Sequence, residues 1–184
     1  PFTPPGYILH YKSIAKEKVA KILDKYNLPK DFIFYPAQFW AHKNHTRLIK
    51  AISIVKEKYN EKINLVLVGR PESNFANFKN IQYAAKKDDL ESQIFVLGYV
   101  SDEEIVALYK TARALVFASV GGPTNIPLVE AMMLGTPVVC PNLFAMPDQV
   151  GKAGVLFDAF DPNDMAEKIY KVWKDGNLRQ NMIE

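Results

Sequence analysis

The chain has 184 residues, 48% of them hydrophobic and 23% charged, which is the make-up of one globular domain with a sizeable core. Its net charge of +3 sits at one end, since residues 1–30 hold six lysines against Glu17 and Asp24 and leave the remainder near −1. A neutral body does not favour binding to nucleic acid, whose partners carry their basic excess on the fold itself. One cysteine, Cys140, excludes an internal disulfide and suits a reducing, cytoplasmic compartment; its apolar neighbours suggest a buried structural thiol. The longest apolar runs, such as Ala112 to Val120 broken by Arg113, are too short to span a bilayer.

Pro1 to Gly6 has neither the basic start nor the apolar run of a signal peptide, and reads as an interdomain linker cut open. Val19, Ile22, Leu23 and Tyr26 then recur at helical spacing, giving a lysine-rich amphipathic helix ended by Asn27-Leu28-Pro29. Its basic side reads as a solvated face, with peripheral contact at an anionic membrane as the alternative. Residues 1–30 are thus expected to be a linker and helix, and 31–184 the domain proper.

Short apolar strands and amphipathic helices alternate from there. Strands are expected at Phe32–Ala37, Leu65–Gly69, Ile94–Leu97, Ala114–Ala118, Pro137–Cys140 and Val155–Phe157. The helices between them carry Leu48, Ala51, Ile52, Val55 and Tyr59, then a weaker stretch from Phe78 to Leu90. Ser101 to Glu104 is a capping box opening the next helix, in which Glu103-Glu104, like Asp88-Asp89 before it, reads as solvated charge. Leu128 to Leu134 is a helix closed by Gly135, and Asp161-Pro162 starts a last one with Ile169, Val172 and Trp173. Six βα units in succession make an α/β, Rossmann-like, doubly wound parallel six-stranded sheet. Ligands of such sheets bind beyond the carboxyl ends of the strands, where the strand order reverses, so the loops after strands one, three and four are the candidate site.

The loop after the fourth strand, Gly121 to Glu130, is the most unusual stretch. Gly121 and Gly122 let backbone approach a ligand, Thr124 and Asn125 can hydrogen-bond to it, and Ile126-Pro127 begins a helix whose free N–H groups favour a phosphate. Glu130, read as lying in the first turn, could accept bonds from two neighbouring sugar hydroxyls such as a ribose diol. A tight βα turn with an acidic residue near the helix start accounts for the same residues, and residue types alone leave both readings open.

In the loop after the first strand, Lys43 stands just ahead of a helix, where a cation is disfavoured unless an anion such as a diphosphate binds there. A solvent-facing lysine is the alternative. His42 and His45 have no cysteine or acidic partner at metal-ligand spacing, so no metal is expected. No G-x-G-x-x-G, G-x-x-x-x-G-K-[ST] or G-x-S-x-G is present, which removes the dinucleotide, P-loop and serine-hydrolase fingerprints.

Ile126 to Val139 resembles the signature helix and following strand of the retaining GT-B glycosyltransferases of family 4. Val68-Gly69, Gly98 to Ser101 and Ala153 to Phe157 fall where family members have similar segments, so the resemblance runs from about Phe32 to Trp173. It implies the C-terminal, donor-binding domain of a GT-B fold, without its N-terminal acceptor domain. Glu130 matches the second glutamate of the family's E-x7-E motif, which binds the donor ribose, and Lys43 a lysine that contacts the diphosphate. The backbone of Gly98, Tyr99 and Val100 matches a wall of the nucleobase pocket, with Arg70 nearby. Donor contacts are also expected from Gln38, Gly121, Gly122, Thr124, Asn125, Ile126 and Pro127.

Two positions depart from the family. The first glutamate of the motif is replaced by Gly122, and an arginine five residues before the lysine by Gln38. Both departures resemble a bacterial branch acting on surface polysaccharides. The implied reaction is transfer of a hexose, with retention, from a GDP- or UDP-linked donor to a saccharide or lipid-linked acceptor. No cofactor or metal is implied, and the location is cytoplasmic or peripheral at the inner membrane face. The alternatives are a non-catalytic nucleotide-sugar-binding module and a GT-B-like sugar-nucleotide epimerase, the latter wanting acidic and histidine site residues that these loops lack.

Overall fold

The computed structural model describes residues 5–122 and 124–184. Pro1 to Pro4 of the expected linker, and Pro123 of the loop after the fourth strand, lie outside the described residues. Six strands, β1 (Ile33–Pro36), β2 (Leu65–Val68), β3 (Ile94–Val96), β4 (Ala114–Val116), β5 (Val138–Pro141) and β6 (Gly154–Phe157), form one parallel sheet in the order β3-β2-β1-β4-β5-β6. The inner strands read as unbroken apolar runs because both faces of the sheet are covered: every residue of β2, β4 and β5 is buried. Register holds Ile33 between Leu65 on β2 and Ala114 on β4. From β1 the chain winds one way through β2 to β3, then returns to β4 on the other side of β1 and winds the opposite way. The order therefore reverses at β1 and β4, and the loops leaving them diverge to open a crevice.

The expected strands are each found within a residue or two. α3 (His45–Tyr59), α4 (Phe75–Lys87), α5 (Asp102–Thr111), α6 (Ile126–Met133) and α8 (Pro162–Lys174) are the helices read from periodicity and caps. The Ser101 box is complete, with the hydroxyl accepting from the Glu104 N–H and the Glu104 carboxylate accepting from the Ser101 N–H. α3 and α4 lie on one face, where α8 joins α3, and α5 and α6 on the other, as right-handed crossovers would place them. Gly135 ends α6 at a φ of +71°, a conformation glycine adopts at no steric cost.

Three helices carry no strong sequence signal: α1 (Gly6–Tyr11), α7 (Met146–Val150) and α9 (Gly176–Ile183). The first of these lies in the segment read as linker. It packs on α5 together with α2 (Lys16–Lys25), and Ile8 is wholly buried in the common core. Glu103 and Glu104 are not the solvated charges expected; they pair with Lys18 and Lys25 of α2 at 2.5 Å each. Burial opposes the charge on Glu104, but bonds from Lys25 and Ser101 overcome it and hold the carboxyl down at about 2. Cys140 is buried, which pushes its thiol up to about 12 and leaves it inert at neutral pH.

Candidate functional site

The loops beyond β1, β2, β3 and β4 meet over the crevice and are pinned to one another through backbone. The Val120 N–H donates to the His42 carbonyl at 2.8 Å, which joins the β1 and β4 loops, and within the β4 loop the Ser119 hydroxyl donates to the Gly121 carbonyl at 2.6 Å. Tyr35, wholly buried on β1, donates its hydroxyl to the Lys43 carbonyl at 3.0 Å. Gly69 is required after β2, because a Cβ there would stand 2.4 Å from the Ala37 carbonyl oxygen. The side-chain oxygen of Gln38 accepts from the Arg70 N–H at 3.1 Å, closing the first loop onto the second.

Two adjoining clefts result, sharing Pro36, Ala37 and Gln38. The first, of about 310 Å³, is walled by Gly98, Tyr99 and Val100, with Arg70 and Tyr7 facing them. The Arg70 guanidinium lies over the Tyr99 ring, 4.9 Å from its centroid, and Tyr99 is 70% exposed. A flat, cationic and aromatic wall of this kind suits a planar ring. The loop after β2, outside the three loops singled out in the sequence but carrying the Arg70 expected near the nucleobase wall, is thus part of the cleft. The second, of about 250 Å³, is lined by Lys43, Gly122, Thr124, Asn125, Ile126 and Pro127, with Trp40 at its rim. Gly121 sits behind it against the His42 side chain.

Lys43 ends a 3-10 turn (Ala41–Lys43) at the start of α3, and its half-buried ammonium has no acidic partner within 4 Å among the described residues. Burial pushes its pKa down. The neighbouring His45 is buried against Tyr35 and Phe39; burial first, then Lys43, depress the imidazole to about 3, so it is neutral. His42 is lowered for the same two reasons. Lys43 is therefore a lone cation in a partly desolvated pocket, a costly arrangement unless an anion joins it.

Glu130 differs from expectation in two respects. It is the fifth residue of α6, beyond the first turn, and it is only 6% exposed. Both carboxylate oxygens are bonded, Oε2 by the buried Tyr109 hydroxyl at 2.7 Å and Oε1 by the hydroxyl of Tyr7. Burial, then Glu130 itself, raises both phenols, so both remain protonated donors. Tyr7 lines the first cleft and stands between it and the carboxylate. Nothing in a single sequence ties Tyr7 or Tyr109 to Glu130, since each bond crosses between helices far apart in the chain. Among the described residues no cluster of three or more His, Cys, Asp or Glu could hold a metal ion.

Against known proteins, the family described as glycosyl transferases group 1 matches residues 16–184. The chain belongs to that family. As a group 1 domain it is similar to the serotype-specific mannosyltransferase WbdA of Escherichia coli, at 27% identity over 162 residues. That match takes in 88% of this chain and 20% of the mannosyltransferase. A glycosyltransferase of Rickettsia africae shares the fold with a TM-score of 0.85 at 18% identity, over 96% of this chain and 47% of that one. The C-terminal domain of a group 1 family protein from Francisella tularensis (LpcC) superposes with a TM-score of 0.77 at 21% identity, over 95% and 91% of the two chains. The fold is that of a GT-B C-terminal domain, and the chain spans under half the length of the first two of these proteins.

Proposed function

We propose that this chain is the donor-binding half of a retaining glycosyltransferase, which moves a hexose from a nucleoside diphosphate to an acceptor hydroxyl. The observation that carries the reading is Lys43, an unpaired ammonium set in a cleft at the strand-order switch point beside the start of α6. A diphosphate there would meet a cation and a helix N-terminus already in place. Charge grows on the departing diphosphate as the glycosidic bond lengthens, so this preorganised field lowers the barrier without reorganisation. The adjoining cleft fits the nucleobase against Gly98 to Val100, Arg70 and Tyr99. Glu130 is the acceptor for the ribose diol once Tyr7, which covers it on the cleft side, gives way; each oxygen keeps a lone pair beyond its tyrosine bond.

The acceptor, a saccharide or lipid-linked saccharide, falls to an N-terminal domain of the same protein. The likeness to the mannosyltransferase WbdA favours a mannosyl donor; the setting proposed for it is surface-polysaccharide synthesis, in the cytoplasm or at the inner face of the membrane. Among the described residues no helix is long and apolar enough to cross a membrane. A second reading, a nucleotide-sugar-binding module without transfer, is favoured by Gln38, whose oxygen is engaged by the Arg70 backbone and brings no second cation to the diphosphate. Transfer by the whole protein separates the two.

Calorimetry with UDP and GDP tests the site. Lys43→Ala should weaken the binding nucleotide by about ten- to hundredfold, the worth of a charge-assisted bond. It should not lower the thermal midpoint, because the lysine is desolvated and unpaired. Unchanged affinity would remove the diphosphate from this cleft.

A further inference from the structure

Asn125 is 6% exposed and uses only half of its amide. Its Nδ2 donates to Gln149 Oε1 at 3.1 Å, while its Oδ1 is buried with no partner among the described residues. The orientation follows from one backbone carbonyl. Gln149 Nε2 lies 3.3 Å from the Thr124 oxygen, which can only accept, so Gln149 must present its own oxygen to Asn125. Asn125 has to answer with its NH2 group, and its oxygen is left facing the other way.

That oxygen faces the second cleft, beside Gly122. A Cβ built on Gly122 would stand 3.6 Å from Asn125 Oδ1 and 3.8 Å from Lys43 Nζ. The backbone at Gly122, with φ at +151°, disfavours any side chain, so the space between amide and ammonium stays open. A buried acceptor without a donor is unfavourable and rare in native structures. A diphosphate would satisfy Lys43 but cannot satisfy this oxygen, since it has no hydrogen to give. A hydrogen-bond donor such as a hydroxyl can satisfy it.

On the donor reading above, we infer that Asn125 is the residue that recognises the transferred sugar. Its Oδ1 accepts a hydrogen bond from a hydroxyl of the hexose, which enters the space left by the absent side chain at position 122. Lys43, whose Nζ borders the same space, takes the phosphate to which the sugar is joined. Gln149 is a positioning residue that holds the amide oxygen towards the cleft.

The test compares nucleoside diphosphates with their sugars. UDP, GDP, UDP-glucose and GDP-mannose are titrated calorimetrically into the chain and into Asn125→Gly, chosen because glycine keeps the residue's left-handed φ of +47°. The nucleoside diphosphate should bind the variant within about twofold of the parent, while its sugar conjugate loses about tenfold. Gln149→Ala should shift the conjugate in the same direction by less. Equal losses for conjugate and nucleotide would make Asn125 a structural residue, and an unchanged conjugate would remove it from sugar recognition. If no nucleoside diphosphate binds even the parent chain, the donor reading itself fails.

Discussion

At one end of the site Glu130 is buried with both oxygens bonded to tyrosines; at the other, the Lys43 ammonium is half-buried without an acidic partner and the Asn125 oxygen is buried without a donor among the described residues. The same fold thus holds one carboxylate as part of its core and two polar groups at some expense to its stability. The contrast separates residues kept for folding from residues kept for a ligand, a distinction that family position alone does not make. Glu130 belongs in part to the first kind, since it joins α1, α5 and α6 through two phenols.

The comparison breaks most readily at Glu130. Replacing it by alanine strands the buried Tyr109 hydroxyl and releases Tyr7, for a loss of about 3 kcal/mol in urea unfolding. A loss below about 1 kcal/mol would show that the tyrosines find water instead and that the carboxylate is not a structural element. Lys43→Ala is the counterpart, costing affinity and no stability.

The smallest effect sharpens the comparison at Tyr7. Its hydroxyl occupies Glu130 Oε1 on the cleft side, where a ribose hydroxyl would also bind. Tyr7→Phe frees that oxygen and should tighten nucleoside diphosphate binding by about two- to fivefold, on the scale of one modest hydrogen bond. Weaker binding would mean instead that the Tyr7 hydroxyl itself contacts the nucleotide.

The sheet and its crevice are legible in the sequence because each strand is a short apolar run and each main helix has its own period and cap. Lys43 and the Gly121–Glu130 loop stand out for the same reason, being local anomalies against that pattern. Tyr7, Tyr109 and Gln149 do not stand out. Each acts through long-range hydrogen bonds, one for either tyrosine and two for Gln149, and nothing in its own neighbourhood differs from an ordinary aromatic or polar residue. α1 is missed on similar grounds: six residues after a run of prolines give no periodicity, and burial of Ile8 against α5 stabilises the helix.

Amide chemical-shift mapping with unlabelled UDP and GDP locates the nucleotide on the fold. Shifts are expected at Lys43–Asn44, Arg70, Gly98–Val100, Gly121–Gly122, Thr124–Ile126 and Glu130, with none at the apolar groove that Phe78, Ile81 and Val96 form beside the edge strand. Shifts centred on that groove, or none at millimolar nucleotide, would contradict this placement.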